Sequence, residues 1–356
     1  VAQLSLPGLK QPFVIGSIQT SVGPVPQVCS SLTWPDRYGT YKARWGMGRL
    51  HFTVEPGLYA LGKPDKQSPV LVTANYKMSF DKLREALPGW DVWILVLDTQ
   101  GINVWCASGK GTFGTSELIG RIESSGLAQI VSHRELILPQ LSGPGVAAHL
   151  VKKSSGFKVT YGPIRSGDLP AFLDAGLRAT PEMRLKTFTI RERVELIPME
   201  LMGALKPGIL AVLIFFLLAV IGRSREGWIS ALNHGLFSVL ALLAAILAGA
   251  VLTPLLLPWL PGRAFSLKGL SLGALFAAMG AACYWGGWVT KEGGLDVLAW
   301  VLLMPALSAY LAMNFTGAST YTSLSGVRKE MRWALPLEIG AGIVGIILWL
   351  GAQFVA

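Results

Sequence analysis

Residues 69–97 read PVLVTANYKMSFDKLREALPGWDVWILVL, and this pattern decides the fold of the first half of the chain. Pro69–Ala74 is a continuous apolar run with β-branched residues, as expected of a strand buried on both faces in a parallel sheet. Ser79–Leu87 is predicted to be a helix, with Ser79 as N-cap ahead of FDKLREAL. Trp90–Leu97 is a second buried strand. Further on, Gly114–Gly126 reads as a helix ended by Gly126. Glu135–Leu138, Gly145–Lys153, Phe157–Tyr161 and Asp168–Leu177 then read as strand, helix, strand and helix. Strands alternating with short helices imply right-handed βαβ units, hence a doubly wound, Rossmann-like α/β sheet. Ligands of such sheets lie beyond the carboxyl ends of the strands, so the loops after Ala74, Leu97, Leu138 and Tyr161 are where a site belongs.

This α/β domain is expected over residues 69–180. Residues 1–68, rich in Gly and Pro and with short strand-like pieces such as Leu50–Val54, read as an N-terminal arm or lead-in. Val1–Ser30 lacks a basic start followed by an apolar core, so no secretory leader is expected there. Residues 181–206 form a charged linker. Over 207–356, apolar runs alternate with short charged connectors, and five spans are predicted: Pro207–Gly222, Ala231–Leu252, Leu267–Val289, Leu295–Phe315 and Leu337–Val355. The second domain is therefore an all-α, five-helix transmembrane domain. A mean hydropathy of +0.48 and a charged fraction of 15% fit a chain part of which sits in lipid.

Lys206, Arg263, Lys268, Arg328, Lys329 and Arg332 flank the spans on the side where the first span begins. Only Arg223, Arg225 and Lys291 flank them on the other. This excess predicts a multi-pass protein of the cytoplasmic (inner) membrane with its α/β domain in the cytoplasm. Trp259, Trp285, Trp288 and Trp333 fall where interfacial belts are expected. Ala241, Ala245 and Gly249, like Gly269 and Gly273, are small residues four apart that allow close helix packing. Asp296 and Glu338 are placed at span edges, leaving the interiors uncharged, which favours an anchor over a transporter.

The net charge of +10 is spread without a Lys/Arg block, so membrane lipid is the expected partner and nucleic acid is not. Cys29, Cys106 and Cys283 are too few and too far apart for a disulfide framework, a zinc site or an intrinsic iron–sulfur cluster. They point to a reducing compartment.

The chemically informative stretch is Gln100–Thr115, QGINVWCASGKGTFGT, directly after the second strand. Asn103 is a good N-cap, which puts Val104, Trp105 and Cys106 in the first turn of a helix that Gly109 and Gly111 would end. Cys106 then stands where backbone N–H groups and the helix dipole favour an ionised sulfur, with Lys110 one turn on. The glycines do not make a P-loop, because Val104 occupies the position of its first Gly. Nor do they show GxGxxG spacing after the first strand.

The run NVWCASGKGTFGT resembles the cap-helix signature of the corrinoid proteins of microbial mercury methylation, the HgcA family. It is more distantly similar to the corrinoid domain of the corrinoid iron–sulfur protein of the acetyl-CoA pathway. Ser68–Arg84 (SPVLVTANYKMSFDKLR), Leu136–Gly145 (LILPQLSGPG), Ser155–Ile164 (SGFKVTYGPI) and Asn314–Met331 (NFTGASTYTSLSGVRKEM) resemble the same family.

The resemblance implies a Rossmann-like corrinoid-binding domain holding cobalamin, with Cys106 as both the catalytic residue and the lower axial ligand of cobalt. Thr73, Ala74, Asn75 and Tyr76 would approach the corrin. Asn103, Val104, Trp105, Ala107, Gly109, Lys110, Gly111, Thr112 and Phe113 would form the cap-helix contacts. Gln140, Leu141, Ser142 and Gly145, with Tyr161, Gly162, Pro163 and Ile164, would line the pocket for the cofactor's tail. A His-ligated corrinoid motif, D-x-H-x-x-G, is absent around His51, His133, His149 and His234.

The resemblance further implies methyl transfer from a Cys-ligated methyl-Co(III) corrinoid to Hg(II), giving methylmercury. The methyl group would come from a methylated folate of the one-carbon pathway. Re-reduction would fall to a small ferredoxin-like partner with two four-iron–four-sulfur clusters. The alternative is a membrane-bound methyl carrier of acetyl-CoA-type metabolism with another acceptor. The segment Thr316–Pro336 is long for a connector and is expected to dock the α/β domain or the partner.

Overall fold

The computed structural model describes residues 4–222, 227–286, 294–319 and 324–354. The chain forms two compact units, Val1–Lys186 and Thr187–Ala356. The first is built on a mixed seven-stranded sheet of β1 (Val14–Thr20), β2 (Gly23–Val28), β3 (Gly57–Leu61), β4 (Val70–Ala74), β5 (Val92–Leu97), β6 (Glu135–Leu138) and β7 (Lys158–Tyr161). Their order is β1-β2-β3-β5-β4-β6-β7. β4 is parallel to both β5 and β6, and β6 to β7, as the buried apolar runs predict.

The stretch read as a lead-in does more than wrap the sheet. It contributes β1, β2 and β3, with β3 antiparallel to β5 along its whole length. Without β3, the apolar β5 (VWILVL) would be an open edge, the kind of strand that invites aggregation. β3 was hard to read because all five residues, GLYAL, are buried, so no alternation marks it. Leu50–Val54, read as strand-like, is instead a 3₁₀ turn at Arg49–His51 followed by a single bridge from Thr53 to Tyr76.

Helices cover both faces of the sheet. Leu71, Ile94, Val96 and Ile137 point to one face, where they pack with Phe80 and Leu83 of α2 (Lys77–Glu85) and Phe172 of α7 (Leu169–Asp174). Val72, Leu95 and Leu138 point to the other. There they meet α4 (Thr115–Ser124), α5 (Leu127–Ile130) and α6 (Ala148–Ser155) through Leu118, Ile122, Leu127 and Val151. α2 begins two residues before the Ser79 predicted to cap it, with Tyr76 in the N-cap position.

α1 (Trp34–Arg44) is tied to α2 by four buried charges. Lys77 Nζ lies 2.6 Å from Asp36 and 2.7 Å from Asp81, and the Arg84 guanidinium lies 2.9 Å and 2.8 Å from the same two carboxylates. Such a network contributes less net stability than its short distances suggest, but removing one member leaves the others unpaired.

The second unit starts with α8 (Ile190–Val194) and continues through α9 (Ile197–Gly222) and α10 (Trp228–Ile246). A π-helical stretch, Leu247–Leu252, leads into α11 (Thr253–Leu256), followed by α12 (Phe265–Trp285), α13 (Gly294–Asn314) and α14 (Leu324–Phe354). Among the described residues, five helical runs are long and apolar enough to cross a membrane, in agreement with the five predicted spans. α9 and α14 begin well before Pro207 and Leu337, since a proline is tolerated within each helix. Gly249 and Gly273 do allow close approach: a Cβ on either would lie 2.7 Å from an atom of α13. Arg223, Arg225, Trp288, Lys291 and Val355 lie outside the described residues, as do residues 320–323; the rest of the Thr316–Pro336 segment, expected to be a connector, is mostly the start of α14.

Candidate functional site

The strand order β5-β4-β6-β7 places a topological switch point between β4 and β6, because the chain leaves β4 to one side and returns on the other. These two strands share one registered pair, Leu71 with Ile137, and then diverge. A crevice of about 290 Å³ opens there. Its walls are Leu71, Val72 and Thr73 of β4, Ile137, Leu138, Pro139 and Leu141 at the end of β6, and Gly162, Pro163 and Ile164 after β7. Ser79 and Leu83, one turn apart on α2, close one side with Ser166 and Leu169. Asn103, Val104 and Trp105 close another. The lining is mainly apolar, and it suits a flat organic group more than a phosphate.

α3 (Val104–Lys110) stands at this crevice and is held at both ends. The Asn103 side chain accepts a hydrogen bond from the Cys106 backbone N–H at 2.9 Å, which caps the N-terminus as its residue type predicts. Gly111 closes the helix at φ +84°, a conformation that disfavours any residue with a Cβ. Ala107 and Ser108 face inward, whereas Cys106 is exposed on the same turn as the crevice-lining Val104 and Trp105. Gly145 is pressed against this helix: a Cβ there would collide with the Phe113 carbonyl and lie 3.0 Å from Ser108 Cα.

The loop that launches α3 is fixed by Asn75, at the end of β4. Its Oδ1 accepts from Thr99 N (3.1 Å), Thr99 Oγ1 (2.8 Å) and Gly101 N (3.0 Å). Its Nδ2 donates to Asp98 at 3.1 Å. The one Thr99 hydroxyl proton is shared between Asn75 Oδ1 and the Ile102 carbonyl, 2.7 Å away. One buried amide thus sets the path of the chain from β5 to the cysteine helix.

The residues expected at the site divide into three groups. Thr73, Asn103, Val104, Trp105, Leu141, Gly162, Pro163 and Ile164 line the crevice together. A second group supports it from behind. Ala74, Ala107 and Phe113 belong to the core. Asn75 and Ser142 are buried and hold turns, and Tyr161 donates to the Val146 carbonyl at 2.6 Å. Burial pushes the Tyr161 hydroxyl pKa upward, so it remains a donor. The third group lies away from the crevice lining. Tyr76 packs edge-on to Phe52, with the Arg49 guanidinium over its ring, and burial raises its pKa. Gln140 pairs with Arg184. Gly109 and Lys110 are exposed on α3, and Thr112 follows its C-cap. Ser79 and Leu83 of α2, Ser166 in the 3₁₀ turn before α7 and Leu169 at its start were not foreseen, because only the divergence of β4 and β6 brings them together.

Comparison with known proteins converges on this part of the chain. Residues 48–173 match the family described as CO dehydrogenase/acetyl-CoA synthase delta subunit. The acetyl-CoA decarbonylase/synthase complex subunit gamma of Methanopyrus kandleri is 36% identical over 126 residues, 34% of this chain and 26% of that protein. That of Archaeoglobus fulgidus is 32% identical over 131 residues, 35% of this chain and 27% of that protein. The subunit of Methanocaldococcus jannaschii is 40% identical over 91 residues, 25% and 19% of the two chains. The chain spans about a quarter of the length of the first two of these relatives. The matched residues contain the whole crevice and all of α3.

Proposed function

We propose that this chain is a membrane-anchored corrinoid protein that transfers a methyl group from a Cys106-ligated cobalamin to inorganic mercury, Hg(II). The observation that carries the reading is an exposed sulfur on a short helix, fixed at both ends, beside an apolar crevice at the switch point of the sheet. The similarity of residues 48–173 to subunits of the acetyl-CoA decarbonylase/synthase complex supports a corrinoid carrier of methyl groups.

The residues present fit the group. Cys106 would offer its sulfur to cobalt, Thr73 would approach the corrin, and the crevice walls formed by Leu141, Gly162 and Pro163 would take the cofactor's tail. When bound, the corrinoid supplies a cobalt centre that accepts and releases a methyl group. The chain's own contribution is to aim and hold one electron-rich donor. Asn103 fixes the first turn, Gly145 lets the neighbouring backbone brace α3 closely, and Asn75 sets the loop before it. A thiolate donates more electron density than an imidazole, which favours handing a methyl group to a soft, electron-poor acceptor such as Hg(II).

Electrons would come from a small ferredoxin-like protein, and the methyl group from a methylated folate. The basic residues flanking the spans support an α/β unit facing the cytoplasm. A second reading is a methyl carrier acting on an acceptor of acetyl-CoA-type metabolism, and the gamma-subunit similarity favours it.

Loading the purified full chain anaerobically with methylcobalamin, adding Hg(II) and quantifying methylmercury separates the two readings. Wild type should exceed both Cys106→Ala and free methylcobalamin. Equal rates for all three would bring the carrier reading forward.

A further inference from the structure

α1 is an amphipathic helix that turns its aromatic side away from the protein. Trp34, Tyr38 and Tyr41, followed by Trp45 at the C-cap, recur at helical spacing and form one stripe. The stripe faces solvent: its four rings are between 41% and 70% exposed, and Met47 and Leu50 extend it beyond the helix. The inward side carries Asp36 and Ala43, with Gly39 so close to Phe52 that a Cβ would collide with the ring. Asp36 is pinned by Lys77 and Arg84, so the helix cannot roll its rings inward without breaking buried ion pairs. A contiguous patch of large apolar side chains held outward in this way marks a binding surface.

Charge and ring type select the occupant. Residues 34–51 hold Arg37, Lys42, Arg44 and Arg49 against a single acid, Asp36, which is buried and already paired. The outward side is therefore aromatic and cationic at once. Trp34 and Tyr38 stack with centroids 6.4 Å apart, and Lys42 Nζ lies 5.8 Å from the Tyr38 centroid. Trp and Tyr rings settle at the headgroup level of a bilayer, and Lys or Arg beside them attracts anionic lipid. The same chain carries five helices long and apolar enough to cross a membrane, which gives the first unit a bilayer surface at high local concentration. We propose that α1 seats this stripe on an anionic membrane surface, with Trp34, Tyr38 and Tyr41 at headgroup depth and Arg37 and Lys42 against lipid phosphates. The inference rests on the membrane reading of the second unit and is independent of the methyl acceptor.

The test is hydroxyl-radical footprinting of the full chain in nanodiscs of phosphatidylcholine, with and without about one-third phosphatidylglycerol. Oxidation of Trp34, Tyr38 and Tyr41 should fall by about threefold or more in the anionic discs, whereas Trp105, exposed on α3, should be oxidised equally in both. Arg37→Glu combined with Lys42→Glu changes exposed positions only and should return the three rings to their oxidation level in phosphatidylcholine. Equal oxidation of the stripe in the two kinds of disc would overturn the inference, as would protection that survives the charge reversal. Protection that appears only when an acidic iron–sulfur protein is added would assign the surface to a protein and overturn it equally. Entry into discs is scored separately by co-elution with lipid. A chain that does not enter them refutes the membrane reading and this inference with it, whereas entry without protection refutes the inference alone.

Discussion

Replacing Asn75 with alanine should loosen the cysteine helix without touching the cysteine. The substitution removes the single acceptor shared by Thr99 N, Thr99 Oγ1 and Gly101 N, at 3.1, 2.8 and 3.0 Å. Thr99 Oγ1 keeps the Ile102 carbonyl, so the loss falls on two buried backbone N–H groups. At about 1–3 kcal/mol for each unsatisfied group, partly relieved by local relaxation, the loop from Asp98 to Asn103 should lose about 2–4 kcal/mol of local stability. That corresponds to about 30- to 1000-fold faster amide exchange, since 1.4 kcal/mol is about a factor of ten. Hydrogen–deuterium exchange of the full chain in nanodiscs, followed on peptides covering 98–111, measures this directly. Peptides from β6 and β7 serve as the internal reference. If exchange over 98–111 stays at the wild-type rate, Asn75 does not organise the α3 loop and the positioning argument fails.

Three further outcomes follow from the same geometry. Gly145→Ala should lower thermal stability by about 1–3 kcal/mol, because its Cβ meets backbone atoms that cannot rotate away; an unchanged melting temperature would show that α3 and its neighbour are not in close contact. Arg84→Met should cost about 3–5 kcal/mol in denaturant unfolding by stripping a partner from two buried carboxylates, and a neutral result would mean that Lys77 alone suffices. Burial alone would raise the Asp36 pKa, but hydrogen bonds from Lys77 and Thr33, together with the Lys77 charge, hold it well below the usual carboxylate range. Its stabilising contribution is therefore present above the unfolded value of about 3.9 and lost as pH falls through the lower folded value. Acid titration should release α1 over that window, whereas Asp36→Asn should flatten the dependence.

The parts of this molecule legible in the sequence are those with a local cause. β4 and β5 announce themselves as apolar runs, α3 by Asn103 and Gly111, and the five spans by length and hydropathy. The short helix around Cys106 was legible from its recognisable ends, whereas the ligand role of Cys106 is implied by the resemblance of NVWCASGKGTFGT. What could not be read depends on contacts distant in sequence. β3 is a five-residue strand whose reason for existing is the open edge of β5, more than thirty residues further on. The role of Asn75 emerges only when the ends of β4 and β5 come side by side. Tyr76, next to it, turns away to pack under Arg49. The crevice arises from the divergence of β4 and β6, which no local pattern encodes. α14 begins at Leu324, ahead of the predicted span start at Leu337, because Pro336 is accommodated within the helix.

The most direct test of the central claim is cobalt X-ray absorption on the purified full chain loaded with methylcobalamin. A sulfur scatterer in the cobalt shell of wild type, absent from Cys106→Ser, is the result the site geometry predicts. Cys106 is exposed, so this substitution should leave stability within about 0.5 kcal/mol, and the two samples should differ at the metal alone. A cobalt shell without sulfur in wild type, or the same shell in both proteins, would contradict the assignment of Cys106 as the ligand.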